Sequence, residues 1–169
     1  MDGTALTPPA LVGGPAQQRS RIVHIIPAMG EPPATREAVE QFLASPRLLH
    51  LGVTEPDGTP LVHAVWYTWE RDTLLVHLGA SSRKRRAIDR QPIVYFTIEA
   101  PDGTVGVRGK ATARIDRDRD RLRVVLEAQC SRYARPPDSE TYRLVFGLLD
   151  AGELVLGVLV PHYLATWGL

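Results

Sequence analysis

The 169-residue chain, 44% hydrophobic and 23% charged, carries enough apolar side chain to bury a core of its own and is most simply one domain, which excludes a wholly disordered chain. Twenty Lys and Arg against nineteen Asp and Glu leave a net charge of +1, so the chain as a whole is no generic polyanion binder, no nucleic-acid partner is expected, and any anion site must be local. The single cysteine, Cys130, excludes an internal disulfide, and neither a secretory leader nor the ~20 apolar residues of a membrane span is found, so a soluble cytoplasmic protein without a membrane partner is expected.

Residues 1–34 hold Pro8, Pro9, Pro15, Pro27, Pro32 and Pro33 with Gly3, Gly13, Gly14 and Gly30, and this composition predicts a flexible extension ahead of a folded domain over 35–169. Within it, Arg21–Ile26 is short, apolar and β-branched, fit to add an edge strand to the body or to a partner subunit. Thr35 is a helix N-cap, with Val39, Phe42 and Leu43 on one face and Pro46 as the stop. Leu48–Thr54 and Leu61–Trp69 read as two strands of a hairpin around Asp57-Gly58. In the second strand apolar residues occupy both faces, which predicts that both are covered. Thr73–Leu78 is a third strand.

Ser81–Arg90 follows as a short, heavily cationic helix ended by Pro92. Ile93–Glu99 is β-rich, and after the turn at Pro101-Asp102-Gly103 comes the clearest alternation of the chain: Val105, Val107, Ala111, Ala113 and Ile115 inward against Arg108, Lys110, Thr112 and Arg114 outward. Leu122, Val125, Leu126 and Gln129 form the inner face of a helix whose outer face alternates in charge. A helix over Ser139–Leu149, an apolar strand over Glu153–Val160 and a closing segment Tyr163–Trp167 complete the chain. This order gives an α+β class around an antiparallel sheet, and closely spaced strands with few edges point to a barrel with short flanking helices.

The segment richest in chemistry is Ser81–Arg86. A helix N-terminus offers free N–H groups and partial positive charge, the serines add donors, and Arg83 and Lys84 supply a fork and a point charge for a phosphate. The competing reading is a solvated cationic face. The histidines (His24, His50, His63, His77, His162) are scattered without a helical metal spacing, so no metal site is expected. Trp66, Trp69 and Trp167 read as core or interface anchors, and Arg132 and Tyr133 stand where a substrate pocket would be rimmed. The serines have cations beside them and no base, which disfavours hydrolase chemistry and leaves the catalytic residues unassigned.

Taken in order, Asp57-Gly58-Thr59-Pro60, His63-Ala64-Val65-Trp66-Tyr67, Ser82-Arg83-Lys84, Arg90-Gln91-Pro92-Ile93 and Val107-Arg108-Gly109-Lys110-Ala111 resemble the flavin-binding split β-barrel family, which includes pyridoxamine 5′-phosphate oxidase and the deazaflavin-dependent reductases. The resemblance runs from about Ala34 to Glu127, with a weaker echo at Thr166-Trp167-Gly168. It implies an antiparallel split β-barrel, a homodimer and FMN in a groove between the subunits. Arg83 and Lys84 would then hold the phosphate with Ser82 in support, Val65, Trp66 and Tyr67 would lie beside the ring, and His63, His77, Leu78 and Trp167 would complete the cofactor site. His63 stands where the family pattern often has Arg, and the basic cluster for a substrate phosphate is not evident in the C-terminal part. The implied activity is transfer of a hydride or electron pair to or from a small organic substrate. A deazaflavin coenzyme in place of FMN, with Arg85, Arg86 and Arg90 holding a longer tail, or a non-enzymatic flavin- or haem-binding protein, are the alternatives.

Overall fold

The computed structural model describes residues 23–169, and among these the chain forms eight strands and four helices. β1 (His24–Pro27) runs parallel to the C-terminal strand β8 (Leu154–Trp167), pairing His24 with Tyr163 and Pro27 with Thr166. The apolar stretch near the N-terminus therefore adds to the chain's own sheet, and Val23 just before it is buried. Residues 1–22 lie outside the described part, and with them most of the expected extension.

The helix starts follow their caps. In α1 (Arg36–Ala44) the Thr35 hydroxyl accepts from the Ala38 N–H at 3.1 Å. In α2 (Arg83–Arg90) Ser82 does the same for Arg85 at 3.3 Å. Asp118 caps α3 (Arg119–Arg132) and Ser139 caps α4 (Glu140–Asp150). β2 (Leu49–Thr54) and β3 (Pro60–Val65) form the expected hairpin, with Gly58 at φ +86° in the turn.

The stretch Leu61–Trp69, expected as a single strand, is two strands at opposite edges of the sheet. β3 stops at Val65 beside β2, whereas β4 (Thr68–Glu70) pairs with β5 (Thr73–Gly79). The expected burial of both faces is also corrected: β3 exposes Pro60, Val62 and Ala64, and Val62 is 62% accessible. A change of partner explains the unbroken apolar run better than a covered strand does. The β4–β5 turn places Arg71 and Asp72 at φ 48° and 59°, the left-handed pair that a tight two-residue hairpin turn demands. Asp72, 7% exposed, accepts from Arg36 Nη2 at 2.6 Å and so ties this strained turn to α1.

With β6 (Ile93–Glu99) and β7 (Gly106–Asp116), the strand order is β3-β2-β6-β7-β8-β5-β4. The outermost strands, β3 and β4, are separated in sequence only by Trp66 and Tyr67. Such a link spans roughly 10 Å, so the sheet has to curl until its edges meet. The result is an α+β fold around an antiparallel split β-barrel, the seam lying at Trp66–Tyr67.

The expected strand over Glu153–Val160 and the closing Tyr163–Trp167 are one continuous β8. Its register against β7 shifts between Lys110, opposite Tyr163, and Ala111, opposite Pro161, so His162 bulges out and its Nε2 lies 2.7 Å from the Thr112 hydroxyl. Proline has no N–H to give the ladder, and the bulge absorbs that loss. The barrel interior is filled by Leu49, Leu51, Leu74, Val76, Leu78, Val94, Ile98 and Val107, with Phe42 and Leu43 of α1 and Ala87 and Ile88 of α2 joining them. A second layer forms where α3 and α4 cover the outer side of β5 and β8, with Leu122, Leu126 and Leu149 against Leu75, Leu156 and Val158.

Gly109 marks a tight crossing of this sheet: a Cβ there would lie 2.5 Å from the Tyr163 carbonyl oxygen and 2.7 Å from Phe96 Cζ. Gly109→Ala is expected to destabilise the protein by about 1–3 kcal/mol, the range for overpacked cores. A urea unfolding curve checks it, and an unchanged midpoint would contradict this packing.

Candidate functional site

Ser82 begins α2 with its hydroxyl committed to the Arg85 N–H. The cations behind it differ in what they already hold. Arg85 pairs with Asp89 at 2.7 Å one turn on, Arg86 donates to the Ser81 carbonyl, and Arg90 reaches across to the Thr54 carbonyl at 2.7 Å. Arg83 is engaged by Glu55, the first residue after β2: Nε donates to Oε1 at 3.0 Å and Nη2 to Oε2, a two-pronged fork that fills the guanidinium edge. Lys84, half-buried, has no salt-bridge partner among the described residues.

His63 faces this cluster from β3. Its Nε2 is buried and unpartnered among the described residues. Desolvation, aided by Lys84 and Arg83 and opposed by Glu55, pushes its pKa below the ordinary imidazole value. Arg83, Lys84, Glu55 and His63 thus share one electrostatic neighbourhood, joining the start of α2 to the β2–β3 hairpin.

A second group lies outside the barrel wall, under α3. His77 Nδ1 is 2.7 Å from Gln129 Oε1, and Gln129 Nε2 donates to the Leu75 carbonyl at 3.2 Å. Because the amide nitrogen is spent on Leu75, Oε1 must accept, so His77 carries its proton on Nδ1. Burial lowers the His77 pKa, Gln129 opposes that, and Lys84 adds to it, as it does at His63. Trp66 sits edge-on to His77 at 5.9 Å and stacks flat on Tyr133 at 4.9 Å.

Of the residues expected at a cofactor, then, His63, Ser82, Arg83 and Lys84 come together, and His77 with Trp66 forms a neighbouring group. Val65, Tyr67 and Leu78 turn their side chains into the barrel core, at 8%, 0% and 1% exposure, so only their backbone can meet a ligand. Trp167 is held at the opposite end of β8, its Nε1 donating to the Gly103 carbonyl at 3.0 Å and its ring resting on Gly106, where a Cβ would come within 2.1 Å. Arg132 and Tyr133, expected to rim a pocket, bind the seam instead: Arg132 donates to the Leu43 and Ser45 carbonyls, and the Tyr133 hydroxyl donates to the Arg47 carbonyl at 2.6 Å. Sequence reasoning missed Glu55 and Gln129. Glu55 left no signal, whereas a glutamine at an inward helical position, as Gln129 was, is a buried polar group that must find a partner.

Compared with known proteins, residues 35–146 match the family model described as pyridoxamine 5′-phosphate oxidase. No curated protein matches. Among solved structures, the chain is similar to a conserved hypothetical protein of Mycobacterium tuberculosis at 25% identity, over 79% of this chain and 84% of that one, with a TM-score of 0.68. It is similar in fold to an F420 reductase, at 24% identity over 74% and 94% of the two chains and a TM-score of 0.61. It also shares the fold of HutZ, the haem storage protein of Vibrio cholerae, at 17% identity over 75% and 89% with a TM-score of 0.58.

The two lowered imidazole pKa values have a consequence for stability. Below the ordinary value of about 6.5 the unfolded chain takes up protons that folded His63 and His77 refuse, so stability is full above that pH and falls as pH drops below it. Urea unfolding is expected to give a lower free energy at pH 5.5 than at 7.5, and the double variant His63→Gln, His77→Gln is expected to flatten the difference. A wild-type profile that is flat across this window would contradict the lowering of the two imidazole pKa values.

Proposed function

This chain belongs to the pyridoxamine 5′-phosphate oxidase family, and from that footing we propose that it holds a flavin-type cofactor, FMN in the first instance, by its phosphate at the start of α2 and passes a hydride or electron pair between that cofactor and a small organic substrate. The observation that carries the reading is that the Lys84 ammonium and the shielded His63 Nε2, both without a partner among the described residues, share the neighbourhood of the Arg83 fork. A phosphate supplies the acceptors that these groups lack, so the residues fit the cofactor. When bound, the isoalloxazine ring supplies the redox chemistry. The chain's part is to bind and orient: Arg83 and Lys84 neutralise the phosphate, the Ser82-capped helix end adds its dipole, and Val65, Trp66 and Tyr67 offer backbone groups at the seam. A neutral His63 can donate or accept one hydrogen bond there without adding charge.

A homodimer completes this reading. α3 and α4 cover only the β5–β8 side of the barrel, and the opposite outer face presents Val62 and Tyr95 at 62% and 56% exposure, apolar surface suited to a second copy. The deazaflavin alternative carries the same phosphate logic, and the likeness in fold to an F420 reductase supports it. Haem binding, named for the Vibrio cholerae neighbour, would need an imidazole nitrogen without a hydrogen-bond partner, and among the described residues His63 Nε2 has none. No helix among the described residues is long and apolar enough to cross a membrane, and we place the protein in the cytoplasm on its one buried, unpaired cysteine.

Titration of the purified protein with FMN, followed by flavin fluorescence, tests the cradle. Lys84→Ala is expected to weaken binding by about 1.5–3 kcal/mol, roughly ten- to hundredfold, since it removes a charge-assisted bond that nothing else competes for. Arg83→Ala is expected to cost less, because Glu55 already occupies that guanidinium. Equal affinity of the wild type and both variants would reject the assignment. Reduction of bound flavin by a hydride donor, with turnover on an added acceptor, would separate an enzyme from a storage protein.

A further inference from the structure

We propose that His77 is the proton acceptor of the seam: its Nε2 takes the hydrogen bond, and in turnover the proton, of a substrate hydroxyl or amine, with Gln129 as the positioning residue that fixes it. The inference rests on the reading of the chain as an oxidoreductase and names the substrate class, a small molecule bearing an O–H or N–H on the carbon to be oxidised.

Three observations carry it. Gln129, fully buried, spends its amide nitrogen on the Leu75 carbonyl at 3.2 Å, so its Oε1 accepts from His77 Nδ1 at 2.7 Å and the other ring nitrogen is left as a lone pair. His63 and His50 each have a nitrogen shut away from water without a partner, whereas His77 Nε2 is neither bonded among the described residues nor shut away, and so opens to solvent. The place of the ring is also set: Leu156 of β8 lies opposite His77, and Trp66 stands edge-on to it at 5.9 Å while stacking on Tyr133 at 4.9 Å. His77 thus stands beside the seam, next to the backbone of Val65, Trp66 and Tyr67 on which the cofactor reading draws.

When an alcohol or amine is oxidised to a C=O or C=N bond, the C–H hydrogen leaves with its electron pair to the flavin-type acceptor of that reading and the O–H or N–H hydrogen leaves as a proton. The proton is the half that this chain must receive. As the substrate O–H or N–H bond breaks, an Nε2–H bond forms, and the imidazolium then returns the proton to water through the same open nitrogen. Lys84 of α2 is the charged group that acts on the ring, while α3 faces it with Gln129, β8 with Leu156 and the seam with Trp66. Burial and Lys84, against the pull of Gln129, hold the ring toward its neutral form, so the lone pair stays available at neutral pH. The His77–Gln129 bond also ties α3 to β5, but a tie is indifferent to which ring nitrogen carries the proton. The tautomer is the property that distinguishes the two roles.

The experiment reads the imidazole directly. In the full-length protein with isotopically labelled histidine, long-range proton–nitrogen NMR spectra are recorded from pH 5 to 8 for the wild type, Gln129→Glu and Gln129→Leu, each first shown by its thermal melt to be folded, with His77 assigned by its loss in His77→Gln. The wild type is expected to carry the His77 proton on Nδ1 at pH 7.5. Gln129→Glu is expected to raise the His77 midpoint by about one pH unit or more, since a carboxylate favours the imidazolium, and Gln129→Leu to release the proton to Nε2. Benzyl alcohol and its methyl ether are then titrated in, without and with FMN. The wild type is expected to bind the alcohol roughly two- to tenfold more tightly than the ether, the worth of one neutral hydrogen bond, with movement of the Nε2 resonance, and Gln129→Leu is expected to lose that preference. A wild-type proton on Nε2, or a wild type that does not distinguish alcohol from ether, would overturn the acceptor whatever the variants do. A tautomer and midpoint unchanged in both Gln129 variants would overturn the positioning role. Failure of FMN to bind shows separately, in the flavin titration, and would overturn the oxidoreductase reading and the substrate class with it, while the spectra taken without FMN still decide the tautomer.

Discussion

The structure depends on a two-residue connection. Val65 ends one edge strand of the sheet, Thr68 begins the other, and Trp66 and Tyr67 are all the chain that lies between them. Short reach forces the edges together, and the seam that results would leave backbone groups without ladder partners. The chain answers with side chains from elsewhere: the Tyr133 hydroxyl accepts from the Tyr67 N–H at 3.4 Å, the Tyr67 hydroxyl donates to the Leu43 carbonyl at 3.0 Å, and the Arg132 guanidinium stands over the Tyr67 ring at 4.6 Å. Through these contacts the end of α3, the end of α1 and the seam become one unit. Tyr67 is fully buried, and its hydroxyl proton is held well above the usual phenol range, chiefly by that burial.

Barrel closure also assembles the candidate site. β3 brings His63 to one side of the seam, β5 brings His77 to the other, and α2, which packs Ala87 and Ile88 into the barrel interior, presents Arg83 and Lys84 toward His63. A helix with such a cationic sequence reads as surface. Here it is pinned at its buried face and at its first residue, by Glu55, so its N-terminal end is held in place relative to the strands. Ordered cations beside a half-buried imidazole are suited to a phosphate in a way that freely moving surface lysines and arginines are not.

Local chemistry was legible in the sequence where local chemistry decides. Thr35, Ser82 and Ser139 start their helices, Asp57-Gly58 turns the hairpin, and the alternation from Val105 to Ile115 shows which face of β7 is buried, because caps, turns and period-2 patterns involve residues within a few positions of one another. What escaped were features that depend on distant partners. Nothing between Leu61 and Trp69 marks the change of edge, since an apolar run looks alike whether both faces are covered or the strand switches neighbours. Glu55 sits in a plain turn sequence and gains its role only from an arginine 28 residues on. Gln129 acquires meaning from His77, 52 residues away, and β1 from a parallel partner at the far end of the chain. The family resemblance supplied Arg83, Lys84 and Ser82 as a set, while the burial of Val65, Tyr67 and Leu78 shows that a motif position identifies a backbone location better than a side-chain contact.

We propose that this barrel binds a phosphate-bearing flavin-type cofactor. The most direct test is the absorbance spectrum of the purified protein through the near ultraviolet and visible, before and after incubation with excess FMN and removal of the unbound flavin, with mass spectrometry of whatever denaturation releases. The expected result is a flavin or deazaflavin spectrum retained by the protein and released as an intact phosphate-bearing compound. A protein that is colourless when purified and retains no FMN after incubation, or one whose only chromophore is haem, would contradict it.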